Sequence, residues 1–336
     1  MIDMIKWRQD IIARPDRVAI PVMTHPGIEE LGYTVKQAVL DGSIHGKAVS
    51  YLADRYTTHA ASVIMDLTVE AEAFGAEVIF PEDEIPSVTG HMLNGVEDIH
   101  RLEVPSLNTA RVPEYIKANV IAHREISDRP VFAGCIGPFS LAGRLYDMSE
   151  IMMLIYSDPE AAHELLEKCT LFILKYVAAL KATGVEGVLM AEPAAGLMSN
   201  DDCKTFSSNY VKRIIDQLQD EHFMIVLHNC GNTGQCTEAM VMTGAHGLHL
   251  GNKCDLAQVA RETPEDILVM GNLDPVSAFK MSTPEEMYQQ TMELLENTRE
   301  FPHVVLSSGC DTPPHTPLAN VDQFFKALED YNTSSL

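Results

Sequence analysis

From about Arg17 onward, short β-rich apolar runs alternate with longer stretches of helical period, and this alternation limits the fold more than any other feature of the chain. Repeated strand-helix units lay their strands parallel, because each crossover helix returns the chain to the same end of the sheet. Eight runs read as strands: VAIPVM (18–23), SVIMD (62–66), PVFAGCIG (130–137), GVLMAEP (187–193), FMIVLHNCG (223–231), GLHLG (247–251), ILVMGNL (267–273) and HVVLSSGC (303–310). Eight parallel strands close a barrel, so the count predicts an α/β chain forming a single (β/α)8 TIM-type barrel domain over 1–336, with an N-terminal extension. A doubly wound open sheet with an extra layer is the other topology that this alternation allows. Helix starts fall between the runs at Ser157-Asp158-Pro159-Glu160, Ser199 to Asp202 and Ser282-Thr283-Pro284-Glu285. Residues 80–130 break the rhythm with prolines at 81, 86, 105 and 113, and read as a loop insertion over one barrel mouth.

The 336 residues suit one barrel, and no Gly/Ser linker or internal repeat marks a boundary. Forty-eight acidic against 24 basic residues give a formal charge of −24, with no Lys/Arg cluster. Nucleic acid and anionic membranes are thereby excluded as partners. The N-terminus lacks the apolar stretch of an export signal, and nowhere does an apolar run approach the roughly 18 residues of a membrane span. Seven irregularly spaced cysteines then read as reduced thiols or metal ligands in a cytoplasmic protein.

Two of those cysteines stand where chemistry is done. Side chains two apart on a strand point the same way, so His228 and Cys230 aim an imidazole and a thiol into one volume. Cys310 ends the last run, and parallel strands finish at a common rim, so it joins them there. Three S and N ligands select zinc over magnesium or calcium and leave a fourth position open, the signature of a catalytic site. Cys135, Cys169, Cys203, Cys236 and Cys254 have no such partners and read as packing residues, Cys254 being a minor exception with His249 upstream. His25, His246 and His315 read as surface or loop histidines.

The stretches MDLTVEAEAFGAEV, GPFSLAGRLYDMSE, AGLMSNDD, VLHNCGNTG, VMGNLDPV and LSSGCDTPPHTPLAN resemble the uroporphyrinogen decarboxylase superfamily from about Ser62 to Leu318. Within it they are similar to the corrinoid-dependent branch, which passes methyl groups from a methylcobamide to a thiol. The decarboxylases carry an Arg-Gln-Ala-Gly-Arg-Tyr segment after the first strand to hold substrate carboxylates, whereas this chain has Pro21-Val-Met-Thr-His-Pro-Gly-Ile-Glu29. His228, Cys230 and Cys310 match the ligand pattern of the methyltransferase branch. The resemblance therefore implies a barrel, one zinc, a methylcorrinoid donor (methylcobalamin or a corrinoid protein) and a small thiol acceptor such as coenzyme M or homocysteine.

The remaining assignments follow from place in the pattern. Asp66 matches an acidic family position near the barrel mouth, where a partnerless carboxylate orients a ligand or, equally, caps the next helix. Glu192, ending its run, is the carboxylate that could fill the fourth zinc position until a thiol displaces it. Asn272 and Asp274 of MGNLDP stand on the rim as candidates for the corrinoid-facing contacts. The sequence HLGNKC from His249 to Cys254 departs from the relatives and leaves the acceptor open. Two other readings are a metal-free decarboxylase, and a non-catalytic corrinoid-binding partner in which zinc is structural.

Overall fold

A computed structural model describes residues 2–335. Among the described residues nine strands occur: β1 (Ala61–Ser62), β2 (Glu77–Ile79), β3 (Ser87–Thr89), β4 (Val131–Ile136), β5 (Gly187–Ala191), β6 (Met224–Asn229), β7 (Gly247–Leu250), β8 (Leu268–Leu273) and β9 (Val304–Ser308). Seven of them form one parallel, curled sheet in the order β1-β4-β5-β6-β7-β8-β9, while β2 and β3 pair separately as an antiparallel hairpin. Strand order thus follows chain order, as expected for successive crossovers of one hand.

Alternate residues separate two cores. Val18, Ile20, Val22, Phe132, Leu189, Ala191, Met224, Val226, Leu268, Met270 and Val305 meet on the concave side. Their sequence neighbours Val131, Ala133, Val188, Met190, Ile225, Leu227, Leu248 and Val304 pack outward among the helices. Each fully buried Val, Leu, Ile, Phe or Met side chain among them contributes about 1.5–3 kcal/mol of transfer free energy. The helix Met4–Ile12 places Met4 and Ile11 in the concave cluster, and Trp7 meets the Phe132 ring edge-on at 6.0 Å.

The 18–23 run, expected as the eighth strand, makes only one isolated bridge, Ala19 with Leu306. Ile20 N–H donates to Leu306 O (2.9 Å), Leu306 N–H to Val18 O (3.0 Å) and His59 N–H to Ala19 O (2.9 Å). The run stops pairing because Pro21 has no N–H to give and Val22 N–H goes to the Ser308 hydroxyl at 3.0 Å. The 62–66 run ends as a strand at Ser62 for a related reason: Ile64 N–H is taken by His45 Nε2 (3.0 Å) and Met65 N–H by Asp311 (3.3 Å). Side-chain acceptors have replaced the ladder at the rim.

The 80–130 region is a correction. Beyond β3 it holds the short helix Val96–Arg101 and the 14-residue helix Val112–Glu125, the latter with Pro113 in its first turn. That helix lies against Gly42–Arg55, and a Cβ on Gly42 would come within 2.0 Å of Glu114 O. Among the described residues no helix is long and apolar enough to cross a membrane. Gly42→Ala therefore has to push two helices apart. We expect it to cost about 1–3 kcal/mol in urea unfolding, the usual range for overpacking.

Candidate metal centre

His228 lies on β6 with the inward parity of Met224 and Val226, and is 1% exposed. Cys230 follows just past the strand, where Asn229 Oδ1 accepts from Gly231 N–H (3.1 Å) and Asn232 N–H (2.9 Å) and folds the chain into a tight turn. The end of β7 must pass close by: a Cβ on Gly251 would lie 2.7 Å from Cys230 Cα, so only glycine fits there. Cys310 leaves β9 two residues past its end. The three sequence-assigned ligands do converge, their ligating atoms all lying within 4.8 Å of one another. His228 Nε2 and Cys310 Sγ are 3.5 Å apart.

This donor set fits zinc. Tetrahedral zinc with Zn–S of ~2.3 Å and Zn–N of ~2.0 Å requires S···N of about 3.5 Å and S···S of about 3.8 Å. The Cys310 thiol donating to Cys230 brings the Cys230 sulfur down to about 4, and Cys310 is pushed up correspondingly. Two cysteine sulfurs beside an imidazole are soft donors of the kind zinc takes.

The carboxylates stand elsewhere. Asp66 is far from partnerless: Oδ1 accepts from Thr68 N–H (2.9 Å) and Thr68 Oγ1 (2.6 Å), and Oδ2 from Arg111 (2.6 Å) and Tyr115 (2.7 Å). Burial opposes its charge, but Arg111 prevails and holds the carboxyl below its ordinary range. Arg111 also grips Glu72 at 2.6 Å. Glu192 takes Phe139 N–H (2.8 Å), Ser140 N–H (2.9 Å) and Ser140 Oγ (2.8 Å), and so caps the helix Pro138–Tyr146. Both its oxygens are engaged, and it is absent from the ligand cluster. Burial pushes it up to about 7 against those donors.

The rim residues brace loops. Asn272 donates to Gly251 O and Cys254 O, both at 2.9 Å, and Asp274 accepts from Val276 N–H, Ser277 N–H and Asn252. Cys254 lies beside Asn272, outside the ligand cluster, and Cys203 faces Cys236 instead of standing alone. His315 is exposed, as read, but His25 is 1% exposed. Its Nδ1 lies 2.8 Å from Thr312 O and 3.5 Å from Asp311, next in sequence to Cys310. The sequence reading also missed the role of His249, whose Nδ1 is 2.7 Å from His228 Nδ1. The available signal was its inward parity on the strand after His228.

Removing Arg111 leaves Asp66 and Glu72 without their cation. Arg111→Met is expected to lose about 3–5 kcal/mol in urea unfolding at pH 7. Because the depressed Asp66 contributes stability above its unfolded value and loses it as pH falls, the gap to wild type should narrow below about pH 4.

Comparison with known proteins agrees with this architecture. Residues 17–331 match the family described as Uroporphyrinogen decarboxylase (URO-D). Over 276 residues, 81% of this chain and 80% of the relative, the sequence is 29% identical to a methylcobamide:CoM methyltransferase, MtbA, of Methanosarcina acetivorans. Over 283 residues, 82% of this chain and 80% of the relative, it is 30% identical to a uroporphyrinogen decarboxylase of Legionella pneumophila (strain Paris). A solved methyltransferase from Methanosarcina mazei superposes with a TM-score of 0.87 at 21% identity, covering 98% of this chain and 99% of that one. With a curled parallel sheet, inward histidines and a match over nearly its whole length, the chain belongs to the uroporphyrinogen decarboxylase (URO-D) family.

Proposed function

We propose that the protein is a zinc-dependent methyltransferase that moves a methyl group between a methylcorrinoid and a small thiol. The observation that carries this reading is the convergence of His228, Cys230 and Cys310 at one rim. The methylcobamide:CoM methyltransferase relative supports the corrinoid and thiol assignments. In the same reading residues 18–23 complete the sheet as the eighth strand of a closed barrel, forming one cytoplasmic domain.

His228, Cys230 and Cys310 would hold the zinc and leave a fourth position free. A zinc held by these three residues would lower the pKa of an acceptor thiol at the fourth position and so favour its ionised form near neutral pH. The transfer itself forms a C–S bond and breaks the donor's Co–C bond, whose electron pair stays with cobalt, while the thiol proton leaves to solvent. The chain's own work is placement. Glu192 fixes the helix Pro138–Tyr146 beside the end of β6, and its N–H donates to His228 O at 2.8 Å. Asp66, locked by Arg111 and Tyr115, holds the turn after β1. Asn272 and Asp274 hold the 251–254 loop on the face offered to the corrinoid or to a small corrinoid protein. We assign Asp66 and Glu192 to positioning.

The decarboxylase alternative draws on the Legionella relative. Against it stands the 21–29 segment, which has no arginine to meet a substrate bearing many carboxylates, in a chain of charge −24.

Purified protein is expected to carry about one zinc per chain, and Cys230→Ala and Cys310→Ala to lose it. Thioether formation from methylcobalamin and a panel of thiols should fall in both variants by more than about 100-fold, beyond the ~10–100-fold typical of losing an outer-shell partner. A native chain without zinc, or decarboxylation of a porphyrinogen that survives Cys230→Ala, would return the decarboxylase to first place.

A further inference from the structure

Behind the ligand cluster runs a line of polar side chains whose direction can be read from its far end. Ser307, on β9, donates its hydroxyl to Ile20 O at 2.7 Å, and a backbone carbonyl only accepts. The Ser307 oxygen is then left to accept from His249 Nε2, 2.9 Å away. With its proton on Nε2, a neutral His249 presents the Nδ1 lone pair, and that atom lies 2.7 Å from His228 Nδ1. His228 has to donate there. Its own lone pair therefore sits on Nε2, the nitrogen 3.5 Å from Cys310 Sγ.

The elements make this order hard to escape. His228 and His249 are register partners on parallel β6 and β7, so both rings leave the sheet on the same face. His249 is 0% exposed and Ser307 0%, which removes water as a competing partner.

We infer that His249, backed by Ser307 and the Ile20 carbonyl, is a positioning residue that sets the tautomer and orientation of His228 so that Nε2 faces the metal. The inference rests on the zinc reading above. It adds a neutral histidine, in place of the more usual carboxylate, as the partner behind a metal-binding imidazole. A neutral acceptor adds no negative charge behind the ligand, in a site that already has two cysteine sulfurs.

The test uses the full chain with His249→Leu and His249→Gln, since a glutamine oxygen can accept from His228 where leucine cannot. In the 15N-histidine-labelled, chelator-treated wild type, the proton should be on Nδ1 of His228 and on Nε2 of His249. Zinc affinity, measured by chelator competition, should weaken at least about tenfold in His249→Leu and largely recover in His249→Gln. The ligand-field spectrum of the cobalt-substituted protein should follow the same order. Equal losses in both variants, wild-type affinity in His249→Leu, or a proton on Nε2 of His228 would each overturn the inference. Wild type that takes up no zinc, yet keeps the proton on Nδ1 of His228, overturns the metal reading and leaves the order of the pair standing.

Discussion

Parallel pairing fixes where this protein can do chemistry. Because β4 to β9 run the same way, side by side and in chain order, their C-terminal ends share one rim, and every residue that leaves a strand there is delivered to the same place. Register does the rest. His228 stands beside His249 and Met270 beside Val305, so inward parity stacks these side chains in layers below the rim. Loosening that register by one residue would turn His228 outward into the helix layer and dissolve the ligand cluster.

The rim depends on backbone pairing giving way to side-chain pairing. Where the 18–23 and 62–66 runs leave the sheet, their N–H groups go to Ser308, His45 and Asp311. The segments thereby gain the freedom to bend around the mouth without stranding buried donors, which would otherwise cost about 1–3 kcal/mol apiece. The same economy governs the charges. Arg111 lies between Asp66 and Glu72, and Glu192 meets the N-terminus of a helix. Glu70, with Oε2 buried and unpartnered, is pushed up to about 8 by burial. A chain with twice as many acidic as basic residues gives these interior carboxylates hydrogen-bond donors: Arg111 to Asp66, Phe139 N–H to Glu192 and Ile136 N–H to Glu70.

The strands from 130 onward were legible because they are buried on both faces and so read as unbroken apolar runs bounded by turns. The 80–130 region was not: its prolines suggested loops, yet Pro113 begins a helix whose packing partner, Gly42–Arg55, lies some seventy positions earlier in the chain. Spacing along one strand identified His228 with Cys230, and strand-end position added Cys310. Glu192 directly follows β5, as expected, whereas Asp66 lies four residues past β1, and the sequence could not say that the oxygens of either were already occupied. Their partners Arg111, Tyr115 and Ser140 come from other elements.

The sequence by itself therefore determined the α/β alternation, the outward and inward faces of the strands, the three metal-ligand candidates and the family. These are local patterns or short motifs, set by side-chain period and residue type. Only the tertiary structure decided that His249 stands behind His228, that Arg111 locks Asp66, and that His25 is buried beside Asp311. Each of these needs two segments to meet at hydrogen-bond distance. That meeting is fixed by strand register and helix packing summed over the whole chain, and nothing in either segment alone records it.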